Sequence, residues 1–188
     1  MSGRESRKQG AFDVRKATAA TALLVKGTGE TMYPVMKMMY LADKLHLERF
    51  GQFIAGDSYS AMKEGPVPCL TYDLMKHLRG GKQDIAGADY IAEFLTYEAG
   101  HQLRLKREPN LDDLSESEIE CLEEVISLYK KFGKWGVYDM SHDEAWRETW
   151  SRRYFAKSKP MSIESIASGL ENRDALLEHI KDPQPGAA

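Results

Sequence analysis

Apolar positions recur along most of the chain at helical intervals, and one segment alternates. Val14, Ala17, Thr18, Thr21, Leu24 and Val25 form one stripe, which predicts a helix over 13–26 with Asp13 as its N-cap. Gly27 and Gly29 are its expected stop. A second helix starts near Thr31, with Pro34 in its first turn, and ends at Gly51. Its apolar residues Val35, Met36, Met38, Met39, Tyr40, Leu41, Ala42, Leu45 and Leu47 cover most of the circumference, which predicts a central helix. The stretch 53–62 reads as loop or short extended chain, and Gly65-Pro66-Val67-Pro68 excludes an unbroken helix. Pro68 opens a third helix through Leu70, Leu74, Met75 and Leu78, stopped by Gly80-Gly81. Residues 91–106 alternate like a hairpin around Gly100-His101, with Phe94, Leu103 and Leu105 at strand-type positions.

Ser115 and Glu118 have capping-box spacing, and Ile119, Leu122, Val125, Ile126 and Tyr129 follow at helical intervals to Phe132. Gly133 and Gly136 punctuate the exit. Ser141, Ser162 and Asn172 each precede a further short helical pattern, the first carrying Trp146 and Trp150. The expected fold is mainly α, a single helical domain with a small β-hairpin. It spans 13–181 between flexible tails at 1–12 and 182–188.

Composition narrows the classes open to such a domain. With 188 residues the chain can bury a core without disulfides or metals. Two cysteines, Cys69 and Cys121, exclude a disulfide-rich scaffold and a cysteine-built zinc site. A formal net charge of −3 argues against a bulk electrostatic grip on nucleic acid. The run Ala17–Val25, bounded by Lys16 and Lys26, is too short to span a membrane, and no export signal is evident. A cytoplasmic location is the expectation.

Each chemically suggestive cluster also has a structural reading. Gly27-Thr28-Gly29 lacks the strand before it and the lysine after it that a phosphate loop needs, so a helix connection is expected. Asp43 and His46 share a helix face, but the sequence indicates no third ligand for a metal. Ser141-His142-Asp143-Glu144 could move protons or simply cap a helix. Cys69 follows a proline at a helix start, with no base beside it. The acidic stretch 112–124 and the basic stretch 147–159 read as solvated faces. They could also meet each other or steer a partner. Nine methionines are many for this length, and Met32, Met36, Met38 and Met39 cluster, which suits core packing with one side left for a partner.

The order of these segments resembles one family. Pro34 to Lys44, with its Tyr40-Leu41-Ala42-Asp43, is similar to the opening of the SocA-like antitoxins, also called the Panacea domain. Gly56-Asp57-Ser58-Tyr59, then Gly65-Pro66-Val67-Pro68 and a helix bearing Tyr72, is similar to that family's central motif. Asp112 to Glu120, Tyr129, and Ser141-His142 with Trp146 resemble later landmarks, so the likeness extends from Val14 to Ala167.

The resemblance implies an antitoxin of a bacterial or phage toxin–antitoxin system. Such a protein binds a cognate toxin, is not an enzyme and uses no cofactor or metal; some relatives hand the toxin to a cellular protease. Tyr40, Asp43, Tyr59, Met62 and Tyr72 are the candidate toxin-binding residues. Gly56, Asp57, Gly65, Pro66, Val67, Pro68, His142 and Trp146 are the candidate motif scaffold. Two other classes stay open on the residues alone. One is a small metal-dependent or acid/base hydrolase using Asp43, His46, Asp57 or His142. The other is a nucleic-acid-binding regulator using Arg147 to Lys159.

Overall fold

The computed structural model describes residues 11–81, 85–152 and 154–181. The chain is mainly helical, with eight α-helices and two small antiparallel sheets among those residues. Of the expected tails at 1–12 and 182–188, only Ala11 and Phe12 are among the described residues, and Phe12 packs against the larger apolar cluster rather than lying free.

Helix α1 (Val14–Thr28) begins at Asp13, whose side chain accepts from the Arg15 and Lys16 N–H groups. Gly29 ends it in the left-handed conformation, φ 65°. Gly27 is not a stop, contrary to expectation. It lies inside the helix where a Cβ would come within 2.7 Å of Ile126 Cδ1, so its missing side chain lets a later helix approach closely. Helix α2 (Met32–Phe50) is buried on nearly every side and ends at Gly51, as its apolar pattern predicts.

The chain then forms a hairpin, whose first strand falls in the stretch that reads as loop or short extended chain. Strand β1 (Tyr59–Met62) pairs antiparallel with β2 (Gly65–Pro68) across Lys63-Glu64. Its other edge pairs with β5 (Ser158–Met161), giving the order β2-β1-β5. Pro66, Pro68 and Pro160 all lie on the outer strands, where a missing N–H breaks no interior ladder. That placement explains how a proline-rich run can be strand.

Helix α3 (Cys69–Leu78) follows directly. Helix α4 (Ala88–Phe94) takes residues that read as the first arm of the expected hairpin. The hairpin itself is present but shorter, with β3 (Leu95–Glu98) paired to β4 (Gln102–Leu105). Helix α5 (Glu116–Ser141) starts at the predicted capping box and runs past Phe132. It kinks at Gly133, whose φ of 69° and ψ of −176° suit only glycine, and then resumes. Asp143, not Ser141, caps α6 (Glu144–Ser151). Ser162 caps α7 (Ile163–Ala167) as expected. Asn172 precedes α8 (Arg173–Lys181), and its amide donates to the Glu48 carbonyl at 2.6 Å.

Two apolar clusters both draw on α2, and Leu41 packs against each. The larger joins Leu24, Met32, Met36, Met39, Ile91 and Val125. The smaller joins Tyr40, Leu47, Phe53, Tyr59, Met161 and Ile166. The methionine cluster of α2 is therefore core: Met32, Met36, Met38 and Met39 are all buried.

Candidate partner-binding site

The two motif carboxylates are structural ties. Asp57 is fully buried after a turn that Gly56 makes at φ 65°. Its Oδ1 accepts from the Ser58 and Leu70 N–H groups at 2.7 and 2.9 Å. Its Oδ2 accepts from the Thr71 N–H and hydroxyl at 2.8 and 2.7 Å. Two of these donors are otherwise unpaired N–H groups in the first turn of α3, so Asp57 caps that helix from a distance in sequence. Burial raises its pKa, and the four donors pull it back down.

Asp43 lies one turn of α2 beyond Tyr40. It accepts from the Ile54 N–H at 2.7 Å and from the Tyr59 hydroxyl at 2.6 Å. Burial pushes its pKa up to about 7, against the pull of those two hydrogen bonds. Tyr59 packs edge-on against Tyr40 and Phe53, with centroids 5.2 and 5.4 Å away. Tyr40 donates to Asp143 Oδ2 at 2.9 Å, and Lys44, one turn along α2, reaches the same oxygen at 2.6 Å. Asp143 Oδ1 accepts from the Trp146 N–H, so this cluster fixes the start of α6 to α2. The Trp146 indole donates to the Met62 carbonyl at 2.9 Å, joining α6 to the β1–β2 turn.

The candidate toxin-binding residues therefore separate. Tyr40, Asp43 and Tyr59 are buried, which removes them from direct contact with a partner in this fold. Met62 and Tyr72 are half-buried, and Tyr72 packs on the larger cluster rather than beside Tyr40 and Tyr59. The scaffold candidates Gly65, Pro66, Val67 and Pro68 form the wholly buried strand β2.

Gly65 has a further role. At φ 102° it sits where a Cβ would lie 2.7 Å from His142 Cε1 and 2.9 Å from Lys37 Nζ. The gap thus brings an amine and an imidazole to one spot. Lys37 is only 2% exposed, and its Nζ donates to the Pro66 carbonyl at 2.9 Å. Desolvation lowers its pKa to about 7, with Glu64 opposing the shift. His142 Nδ1 lies 2.7 Å from the Tyr138 carbonyl, an acceptor only, so that nitrogen carries the proton. Nε2 is then a bare lone pair, buried and with no hydrogen-bond partner among the described residues. Burial lowers the His142 pKa, and Lys37 adds to this.

Above Lys37 opens a recess of about 420 Å³, walled by Tyr33, Glu64, Lys134, Trp135 and Tyr138. Tyr33 and Trp135 are 44% and 68% exposed at its mouth. An aromatic ladder runs inward from this rim. Trp135 meets Tyr138, Tyr138 lies over His142, His142 meets Trp146 edge-on, and Trp146 stacks on Trp150. The kink at Gly133 aims this half of α5 at the hairpin. A wider recess of about 740 Å³ lies across Leu41, Leu45 and Leu128, away from the motif. Its cations Lys44 and Arg49 are already paired with Asp143 and Glu124.

The other clusters have structural partners. His46 is buried, with Nδ1 2.8 Å from the Gln52 carbonyl and Nε2 3.2 Å from Ser117 Oγ. Cys69 Sγ contacts Ser60 Oγ at 3.3 Å. Glu118 and Glu124 of the acidic stretch pair with Lys16 and Arg49. In the basic stretch, Lys159 donates to the Arg152 carbonyl and Arg152 pairs with Glu148. No group of three metal-ligating side chains gathers among the described residues, and no described helix is long and apolar enough to cross a membrane.

Periodicity missed Lys37, Tyr33, Glu64, Lys134, Trp135 and Tyr138. Lys37 did leave a signal: it is the one charge in the run Val35–Ala42, on a helix whose apolar residues surround it.

The fold is thus a helical domain whose motif side chains are used internally, beneath one aromatic-rimmed recess. The chain belongs to the SocA-like antitoxin family, described as antitoxin SocA-like, Panacea domain, which matches residues 35–147. The matched span holds most of α2, the β1–β2 hairpin, α5 and the start of α6, and so the recess residues from Lys37 onward. No curated protein and no solved structure matches the chain.

Proposed function

We propose that this chain is the antitoxin of a toxin–antitoxin pair and neutralises its cognate toxin by direct protein binding, without catalysis. Family membership carries this reading. The geometry is in keeping with it. The motif carboxylates are tied down by backbone and tyrosine donors, while large aromatic side chains face solvent around a recess. Exposed Trp and Tyr at a recess are the residue types that anchor protein interfaces.

The test is co-expression of the full chain with the product of the adjacent reading frame. That product alone should arrest growth, and the chain should restore it and co-elute with the product. A product harmless by itself, or one that forms no complex, contradicts the reading. Neutralisation by occlusion predicts that rescue persists in a host lacking its ATP-dependent proteases. Loss of rescue there would instead assign delivery to a protease.

A further inference from the structure

We propose that the recess at the start of α2 is the seat of an acidic side chain of the partner toxin, carried beside an apolar residue, with Lys37 as the cation that meets it. The identity of the partner rests on the antitoxin reading; the chemistry of the recess does not.

Four observations converge on a carboxylate. Lys37 Nζ has three donors when charged, and the structure gives it one neutral acceptor, the Pro66 carbonyl. Glu64, the carboxylate of the recess, is itself held by Tyr138 Oη at 3.4 Å and Lys63 at 3.9 Å. The recess also lies at the N-terminus of a 19-residue helix. There Thr31 makes no side-chain cap bond and the first turn holds no acidic residue. Glu30, just before the helix, spends its carboxylate on the Thr31 N–H at 3.0 Å and the Tyr129 hydroxyl at 2.6 Å, and so offsets that positive end only in part. Lys134 also lines the recess and adds a second cation. An isolated buried ammonium is costly, and an incoming carboxylate relieves that cost with a charge-assisted hydrogen bond.

The rest of the recess selects what accompanies the carboxylate. Tyr33 and Trp135 offer aromatic faces at the mouth, suited to an apolar neighbour on the same segment. His142 and the Pro66 carbonyl present only neutral acceptors beside Lys37. The Pro66 carbonyl holds the amine at the gap left by Gly65 without neutralising its charge.

The test has two arms. In the first, the full chain labelled at its indole nitrogens is titrated with 3-phenylpropionate and, separately, with 3-phenylpropionamide. The acid should shift the Trp135 indole resonance saturably, about tenfold more tightly than the amide. Lys134→Glu and Lys37→Met should each abolish that preference. Lys134 is on the exposed rim, so its variant decides the matter even where Lys37→Met fails to fold. No saturable shift, or equal shifts for acid and amide, overturns the proposal.

In the second arm the adjacent-frame product is titrated with the wild-type chain and with Trp135→Ala and Lys134→Glu. Each variant should weaken the complex about tenfold with its unfolding midpoint unchanged. Wild-type binding with both variants unaffected overturns the recess and leaves the antitoxin reading standing. Failure of the wild-type chain to bind contradicts the antitoxin reading, and the first arm then decides the recess by itself.

Discussion

Asp57 accepts four hydrogen bonds from one buried position, so removing it strands several donors at once. Asp57→Ala should destabilise the fold by about 3 kcal/mol, read as a lower urea midpoint. Asp57→Asn should cost less, because an amide oxygen still serves the first turn of α3. Asp43 and Lys37 make a different prediction. Between the ordinary 3.8 and about 7, folded Asp43 keeps a proton that the unfolded chain has released, so its contribution to stability falls as pH rises. Between about 7 and 10.5, unfolded Lys37 keeps a proton that the folded chain has lost, so its contribution rises with pH. The two together place a minimum near neutral pH. Relative to wild type, Asp43→Asn should remove the falling limb and Lys37→Met the rising one. Urea titrations near pH 5, 7 and 9 would show this, and unchanged slopes would contradict it. Asp57 was legible in sequence as a turn tie, because aspartate after glycine bonds nearby N–H groups. The burial of Tyr40, Asp43 and Tyr59 was not. On a helix apolar nearly all round, periodicity does not say which polar residue faces inward.

At the scale of elements, most helices were legible, but α4 and two of the glycines were not. Asp13, Gly51, Ser115 with Glu118, and Ser162 all mark the ends they predicted. Gly27 and Gly133 read as stops, but both lie within helices for tertiary reasons: one admits α5, the other bends it. The β1–β2 hairpin was hidden because prolines demote a run to loop unless it is an outer strand, and strand order is not written locally. The Gly133 kink yields a test. Gly133→Ala puts a side chain where φ is positive and ψ extended, at a cost of about 1–3 kcal/mol. It should also turn Trp135 and Tyr138 away from the recess and weaken partner binding. Unchanged stability and unchanged binding would show that the bend is not needed.

Across the whole molecule, α2 contributes to both apolar clusters and offers its N-terminal end to the recess. The walls come from the start of α2, the β1–β2 turn and the half of α5 beyond the kink, segments that no single motif joins. The sequence could show their order, and hence the family, but not their meeting. That meeting depends on Gly65 leaving room for Lys37 and His142, and on Gly133 taking a positive φ. We propose an antitoxin that neutralises its toxin by binding it through the recess. The most direct measurement is the affinity of the full chain for the adjacent-frame product, with wild type and Trp135→Ala compared side by side. The account predicts a complex that Trp135→Ala weakens about tenfold without lowering the unfolding midpoint, with loss of growth rescue. Equal affinity and equal rescue by the two chains would contradict it.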